Sequence, residues 1–255
     1  MTITLCINNS TMTVGLYEAG VHGLFSTVSV GNRWTEDDFY YKLIQIVAGR
    51  LPVESGPPHA IMASVSPRMA PSAAKALERI CGAPPLIVGP GVKTGLDIKI
   101  NDPSQLGADL VAIAAGAAAK YPLPALAINI SEATTISYID EKGRYLGTVI
   151  AAGLEPMLQS LVDNAELLPQ ASLASAGKVL GTSTEESMQS GLIYGLAALI
   201  DGMLARIGES HPYSTVVATG GRAAQRVLPH CKSGIVYDES LLCDGLLNIF
   251  KKQTK

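Results

Sequence analysis

A chain of 255 residues with 47% hydrophobic, 16% charged and only 5% aromatic residues suits an α/β core of Ala, Leu, Ile and Val and excludes a disordered chain. Its formal charge of −3 excludes the global positive field that a nucleic-acid backbone requires. Residues 1–5 carry no basic run, and the Ala-rich stretch 110–119 is too short to span a bilayer, so a cytoplasmic protein with no membrane partner is expected.

At this length two α/β halves, 1–120 and 121–255, packed on a cleft are expected in place of one oversized core. Ile3 to Ile7 reads as a buried strand, Asn8-Asn9-Ser10 as turn chemistry, and Thr13 to Tyr17 as a returning strand before a Glu18-Ala19-Gly20 turn. Thr35 followed by Glu36, Asp37 and Asp38 is an N-cap with acids in the first turn, and Phe39, Leu43 and Ile46 form the apolar face of a helix reaching about Gly49. Short strands follow at 60–64 and 86–88, separated by a helix opening near Pro71, and an Ala-rich helix is expected over 105–120.

The second half repeats the opening rhythm: a strand over 125–130, a small-polar turn over 131–135, a strand to Asp140, the turn Glu141-Lys142-Gly143, and a strand from Tyr145. A long helix over 184–207, a strand over 215–219, the turn Gly220-Gly221 and a helix from Leu241 complete it. Cys6, Cys81, Cys231 and Cys243 lie far apart with no Cys-x-x-Cys pair, which points to buried or free thiols. None of the four histidines has a partner at metal-ligand spacing.

Five segments then occur in one order: Val88-Gly89-Pro90-Gly91-Val92-Lys93-Thr94-Gly95 with Asn101-Asp102-Pro103 and Gly107-Ala108-Asp109; Asp140 to Gly147; Gly181-Thr182-Ser183-Thr184; Met188-Gln189-Ser190-Gly191; and Ala218-Thr219-Gly220-Gly221. Singly these glycine pieces are weak signals, but together the chain resembles the type III pantothenate kinases over essentially its whole length. The resemblance implies duplicated actin-like ATPase domains of the ribonuclease H-like type facing a cleft. It further implies phosphorylation of pantothenate by ATP and Mg²⁺ on the way to coenzyme A, and a dimer. On it, Asp109 is the general base, with Gly107, Lys93 and Thr184 at the substrate and Asn9, Ser10, Thr134, Thr135, Thr219, Gly220 and Gly221 at the nucleotide. A carboxylate suits the base role because it takes the hydroxyl proton while positioning and charge stabilisation supply most of the catalysis. Read without the family, Asp109 also fits a helix-dipole acid, Lys93 a solvated loop lysine, Thr184 a helix N-cap and Gly220-Gly221 a plain turn.

The departures from the family pattern fall on its phosphate loops. Cys6-Ile7-Asn8-Asn9-Ser10 stands where the family has Asp-x-Gly-Asn-Thr, and Asn129-Ile130-Ser131-Glu132-Ala133-Thr134-Thr135 where it has Asp-x-Gly-Thr-Ala-Thr-Thr. Cys6 and Asn129 thus replace both aspartates that hold magnesium, Asn8 and Ser131 add side chains where bare backbone approaches phosphate, and Glu132 adds a like charge, all opposing MgATP in its usual pose. Leu110 and Ile100 replace an arginine and a tyrosine of the substrate segment, and Ser137 replaces the acid associated with a monovalent cation, so potassium dependence is not carried over. Three readings remain: an impaired subunit supporting an intact paralogue in a heterodimer, an active kinase with Glu132 as metal ligand, and a non-catalytic regulator that binds pantothenate or a related small acid.

Overall fold

The computed structural model describes residues 1–18, 21–31, 33–48, 56–173 and 177–253. The chain forms two compact units, one made of residues 1–120 with the C-terminal segment from Ser240, the other of Tyr121–Glu239.

In the first unit β1 (Thr2–Ile7), β2 (Thr11–Glu18) and β3 (Val21–Ser29) form an antiparallel meander, and β4 (His59–Ser64) and β5 (Leu86–Ile87) extend it in parallel, giving the order β3-β2-β1-β4-β5. A short β6 (Asp97–Ile98) follows. Side chains alternate across the sheet. Ile3, Leu5, Ile7, Met12, Val14 and Leu16 therefore line one face, buried under α1 (Glu36–Val47) and α2 (Ala70–Cys81). Thr35 caps α1 as its sequence predicts, and Asp38 completes a capping box, an arrangement that contributes about 1 kcal/mol. Phe39 and Leu43 are buried with Val47, while Ile46 packs at the margin. The predicted Ala19-Gly20 turn residues and the helix end at Gly49 lie outside the described residues.

The opposite face, bearing Thr4, Cys6 and Gly15, meets α3 (Ala108–Lys120) and α7 (Leu241–Gln253). The C-terminal helix thus packs on the first unit, although a division at residue 120 groups it with the second half. The reason is steric: a Cβ on Gly245 would lie 1.8 Å from the Ala112 carbonyl oxygen, and one on Gly116 would lie 2.4 Å from that of Leu241, so only glycines let α3 and α7 approach this closely. Helix α3 opens at Ala108 and not at Gln105, because Pro103–Gln105 form one 3-10 turn closed by Asp102, whose carboxylate accepts from Ser104 N–H.

Asp244 of α7 ties this helix to the sheet. Tyr17 Oη donates to its Oδ1 at 2.6 Å, and Lys120 Nζ and Ser240 Oγ reach Oδ2 at 2.5 and 2.7 Å. Burial alone would raise the carboxyl's pKa, but these hydrogen bonds outweigh it and hold the group below the usual carboxylate range. A depressed folded pKa gives stability that is complete above the unfolded value of about 3.9 and lost as pH falls through the folded one. Asp244→Ala is therefore expected to cost about 2 kcal/mol at pH 7, a melting-temperature drop of about 4–8 °C that shrinks below about pH 4. An equal drop at pH 7 and pH 3 by thermal denaturation would refute the charged anchor.

The second unit repeats the plan. Strands β7 (Ala125–Ile130), β8 (Ala133–Ile139) and β9 (Arg144–Ala152) form the meander, and β10 (Thr215–Thr219) and β11 (Val236–Tyr237) add in parallel, so β9-β8-β7-β10-β11 matches β3-β2-β1-β4-β5 strand for strand. Helices α4 (Leu154–Asn164), α5 (Thr184–Ser210) and α6 (Arg222–Val227) cover the face carrying Leu126, Ile128, Ile130 and Ile136. Strand β3 is expected only through the repeated rhythm of the two halves, without bounds of its own, and helices α4 and α6 have no counterpart in the sequence reading. Among the described residues α5 is the one helix long and apolar enough to cross a membrane, and its Leu192, Ile193, Leu196, Ile200 and Leu204 are buried in this unit's core.

Candidate functional site

The first loop joins β1 to β2. Cys6, next to the end of β1, is fully buried, and burial, then the Asp109 carboxylate and Cys243, push its thiol well above the ordinary range, so it is an uncharged group. Asn8 satisfies the loop from within: its N–H donates to the Thr11 carbonyl at 2.8 Å, and its Nδ2 donates to Thr11 Oγ1 at 3.3 Å. Asn9 and Ser10 form the exposed tip.

Asp109 is the second residue of α3, where the helix dipole favours an acid. Burial raises its carboxyl pKa, against hydrogen bonds from the Leu110 N–H and its own N–H. Gly107 makes room for it, since a Cβ there would lie 2.5 Å from Asp109 Oδ1. Cys6, Gly107 and Asp109 thus gather in one region of the first unit. Lys93 stands apart on an exposed loop whose carbonyl at that residue accepts from Gln253 Nε2 at 2.8 Å.

The second loop joins β7 to β8 and is shorter than its sequence suggests. The turn comprises Ser131 and Glu132 only, and β8 begins at Ala133. Asn129 Nδ2 donates to Ser131 Oγ at 3.2 Å, and that hydroxyl donates to the Ala133 carbonyl at 3.3 Å. Two glycines pin this loop. A Cβ on Gly153 would lie 1.9 Å from the Ser131 carbonyl oxygen, and Gly153 N–H donates to Glu132 at 3.0 Å. On the other side Gly220, at φ +133, would place a Cβ 2.2 Å from the Ile130 carbonyl oxygen. The role of Gly153 was missed in the sequence, where an isolated Gly after a strand gives no sign of its distant neighbour.

Strand register sorts the nucleotide candidates. Asn129 is paired with Thr135 on β8 and with Thr219 on β10, so the three side chains form a row on one face of the sheet. Thr134, one residue earlier, pairs with Ile130 and points to the helix-covered face. Both Thr134 Oγ1 and Thr135 Oγ1 are buried with no hydrogen-bond partner. Thr219 Oγ1 reaches the Glu239 carbonyl at 3.5 Å, and Tyr237 Oη donates to the Gly220 carbonyl at 2.7 Å, which braces the Gly220-Gly221 turn before α6.

Thr184 is an exposed first residue of α5, and the N-cap is Ser183, whose Oγ accepts from Glu186 N–H at 3.2 Å. Glu186 in turn accepts from Thr182 N–H, Lys178 Nζ and Thr182 Oγ1, which hold its pKa down to about 2. Thr184, Gly191, Ala152, Pro156 and Met157 line an apolar cavity of about 610 Å³ within the second unit, separate from the Asn129 row in its lining.

These residues do not fit a magnesium ion. The thiol at position 6 is neutral, the side chain at 129 is an uncharged amide in place of a carboxylate, and among the described residues no group of three or more His, Cys, Asp or Glu side chains is placed to hold a metal.

The model of the type III pantothenate kinase family matches residues 3–206. The type III pantothenate kinase of Listeria monocytogenes serotype 4a is 31% identical over 99% of this chain and 97% of its own length. The chain belongs to the type III pantothenate kinase family. A second family member, from an Exiguobacterium species, is 37% identical over 76% of each chain. Among solved structures, component A of (R)-2-hydroxyglutaryl-CoA dehydratase from Acidaminococcus fermentans superposes with a TM-score of 0.59 at 15% identity, over 100% of this chain and 99% of that one. A ROK family glucokinase from Streptomyces griseus gives 0.51 at 13%, over 98% of each. At such identities these structures establish the fold alone, and it is the actin-like kinase fold with its duplicated sheet.

Proposed function

We propose that this chain is a type III pantothenate kinase homologue linked to coenzyme A formation whose own phosphate loops do not support MgATP chemistry, and that it works as a subunit with an intact copy of the family. The observation that carries this reading is the state of the two loop positions: a buried neutral thiol at Cys6 and an amide at Asn129 already bonded to Ser131. Asp109 keeps a half-buried, helix-terminal setting that suits a base, so the phosphate side and not the base accounts for an impaired chain. A cytoplasmic place suits a chain whose long apolar helix spends its buried residues on a domain core.

Helix α5 supports the assembly part. Gly191, Gly195 and Ala198 are exposed at spacings of four and three, and a Cβ at either glycine would meet nothing within 4 Å, so this face leaves room for a close neighbour, although Gly191 also lines the cavity beside α4. A second copy laid against it would bury more than roughly 1,000 Å² in total. Thr184, on the same helix, then serves a pocket of the partner.

The test is kinase activity of the chain reconstituted with an intact family member, with Asp109→Asn or Thr184→Ala on this chain only. Loss of activity by about tenfold or more with Thr184→Ala, and tolerance of Asp109→Asn, is the expected pattern. A strictly monomeric chain that binds no family member by size-exclusion and light scattering would remove the subunit reading.

A further inference from the structure

The last turn of α7 reaches a loop 160 residues away in the same unit. Gln253 Nε2 donates to the Lys93 carbonyl at 2.8 Å, and two residues on, the stem of Lys252 lies across Gly95. A Cβ at Gly95 would stand 2.8 Å from Lys252 Cδ and 2.6 Å from its Nζ. Glycine is thus required there twice over: its φ of +81 is left-handed, and the space a side chain would fill holds the lysine stem. Between the two contacts Thr94 is buried, and its Oγ1 accepts from the Leu96 N–H at 3.2 Å, so the loop is bonded from within and clasped from outside. The helix dipole alone favours Lys251 and Lys252 in the last turn, but it sets no lysine stem on a left-handed glycine and no amide on a distant carbonyl. Helices α3 and α7 run antiparallel, Gly116 meeting Leu241 and Ala112 meeting Gly245, which carries the last turn of α7 toward the end of α3 that bears Asp109. Helix α7 lies outside residues 3–206, so the family match does not carry this contact.

We propose that the last turn of α7 is a positioning element for the Lys93–Leu96 loop, and that Gln253 and the Lys252 stem hold this loop in the conformation in which it receives a small carboxylic acid. Neither side chain touches the acid; both act through the loop. This rests on the reading that sets Lys93 at the substrate of a pantothenate kinase homologue. With the clasp in place the loop is ordered before the acid arrives, whereas without it the acid must order the loop as it binds, at a cost in affinity.

The test uses the full chain, with pantothenate titrated calorimetrically and amide exchange followed at Leu96. Gln253→Ala is expected to weaken pantothenate about fivefold and to speed Leu96 exchange by a similar factor, while the melting temperature shifts by no more than about 2 °C. Gln253→Lys, which keeps a donor for the Lys93 carbonyl, is expected to restore both. Lys252→Met keeps the stem without the charge and is expected to bind within about twofold of the unaltered chain, against about fivefold weaker binding for Lys252→Ala. Equal losses in Lys252→Met and Lys252→Ala would make the ammonium a direct ligand and overturn the positioning role. Weaker binding by Gln253→Ala with unchanged Leu96 exchange would put Gln253 on the acid itself and overturn it as well. Unchanged affinity in Gln253→Ala, with or without a fall in melting temperature, marks a purely structural tie, and no pantothenate binding by the unaltered chain removes the acid; either result overturns the proposal. None of these outcomes touches the subunit reading, which turnover and partner binding decide separately.

Discussion

Given pantothenate and saturating MgATP, the purified chain alone is expected to consume ATP at less than about 10⁻² per second, against the 1–100 per second of ordinary kinases. Phosphoryl transfer leaves little covalent work to the protein, and nearly all the rate comes from positioning the polyphosphate and stabilising its charge. On the proposed reading, the positions that would provide that stabilisation are a thiol held neutral by burial and an amide engaged with its own loop. Glu132 works against it. The measurement is a coupled ADP-release assay with and without pantothenate; a pantothenate-dependent rate near 1 per second would end the reading of an impaired chain.

The second large effect is a gain. Cys6→Asp, Asn8→Gly, Asn129→Asp, Ser131→Gly and Glu132→Thr made together are expected to yield MgATP binding with Kd of about 1 mM or tighter by calorimetry, whereas single changes yield none. The structure explains why the set acts as a unit. Cys6→Asp alone places a second carboxylate in a fully buried position that already feels Asp109, which is expected to cost about 3 kcal/mol of stability with no metal to repay it. Asn129→Asp alone leaves Ser131 and Glu132 over the site, and Ser131→Gly alone removes the acceptor of the Asn129 amide. Neighbours in one network do not add. MgATP binding by Cys6→Asp alone would show that Glu132 is no barrier.

Much of the fold was legible. Strands β1, β4, β7 and β10 are short, mostly apolar runs, and the Thr35 cap announces α1 through a side chain that bonds three residues away. The repeat of strand, turn, strand, turn, strand in the two halves reappears as the same order of five strands in each unit. Less legible were β3, whose Val21–Ser29 run mixes exposed and half-buried residues on an edge, and α4, which buries only Leu154. Strand β3 carries no strong apolar period, whereas Leu154, Met157, Leu158 and Leu161 of α4 do stand at helical spacing, a signal the sequence reading passed over.

The sequence by itself determined the family, the Ala-rich α/β core, and the loss of both loop aspartates, because residue identity and order along the chain are enough for each. Tertiary structure alone decided the rest. That α7 belongs to the first unit depends on Gly116 and Gly245 meeting across 129 residues of chain. That Thr135 joins Asn129 and Thr219 while Thr134 turns away depends on strand register, which flips a side chain from one face to the other with a shift of one residue. That Asn129 serves its own loop depends on where a neighbouring hydroxyl comes to rest. Contacts between residues distant in sequence are set by packing, and packing is what composition and spacing leave open.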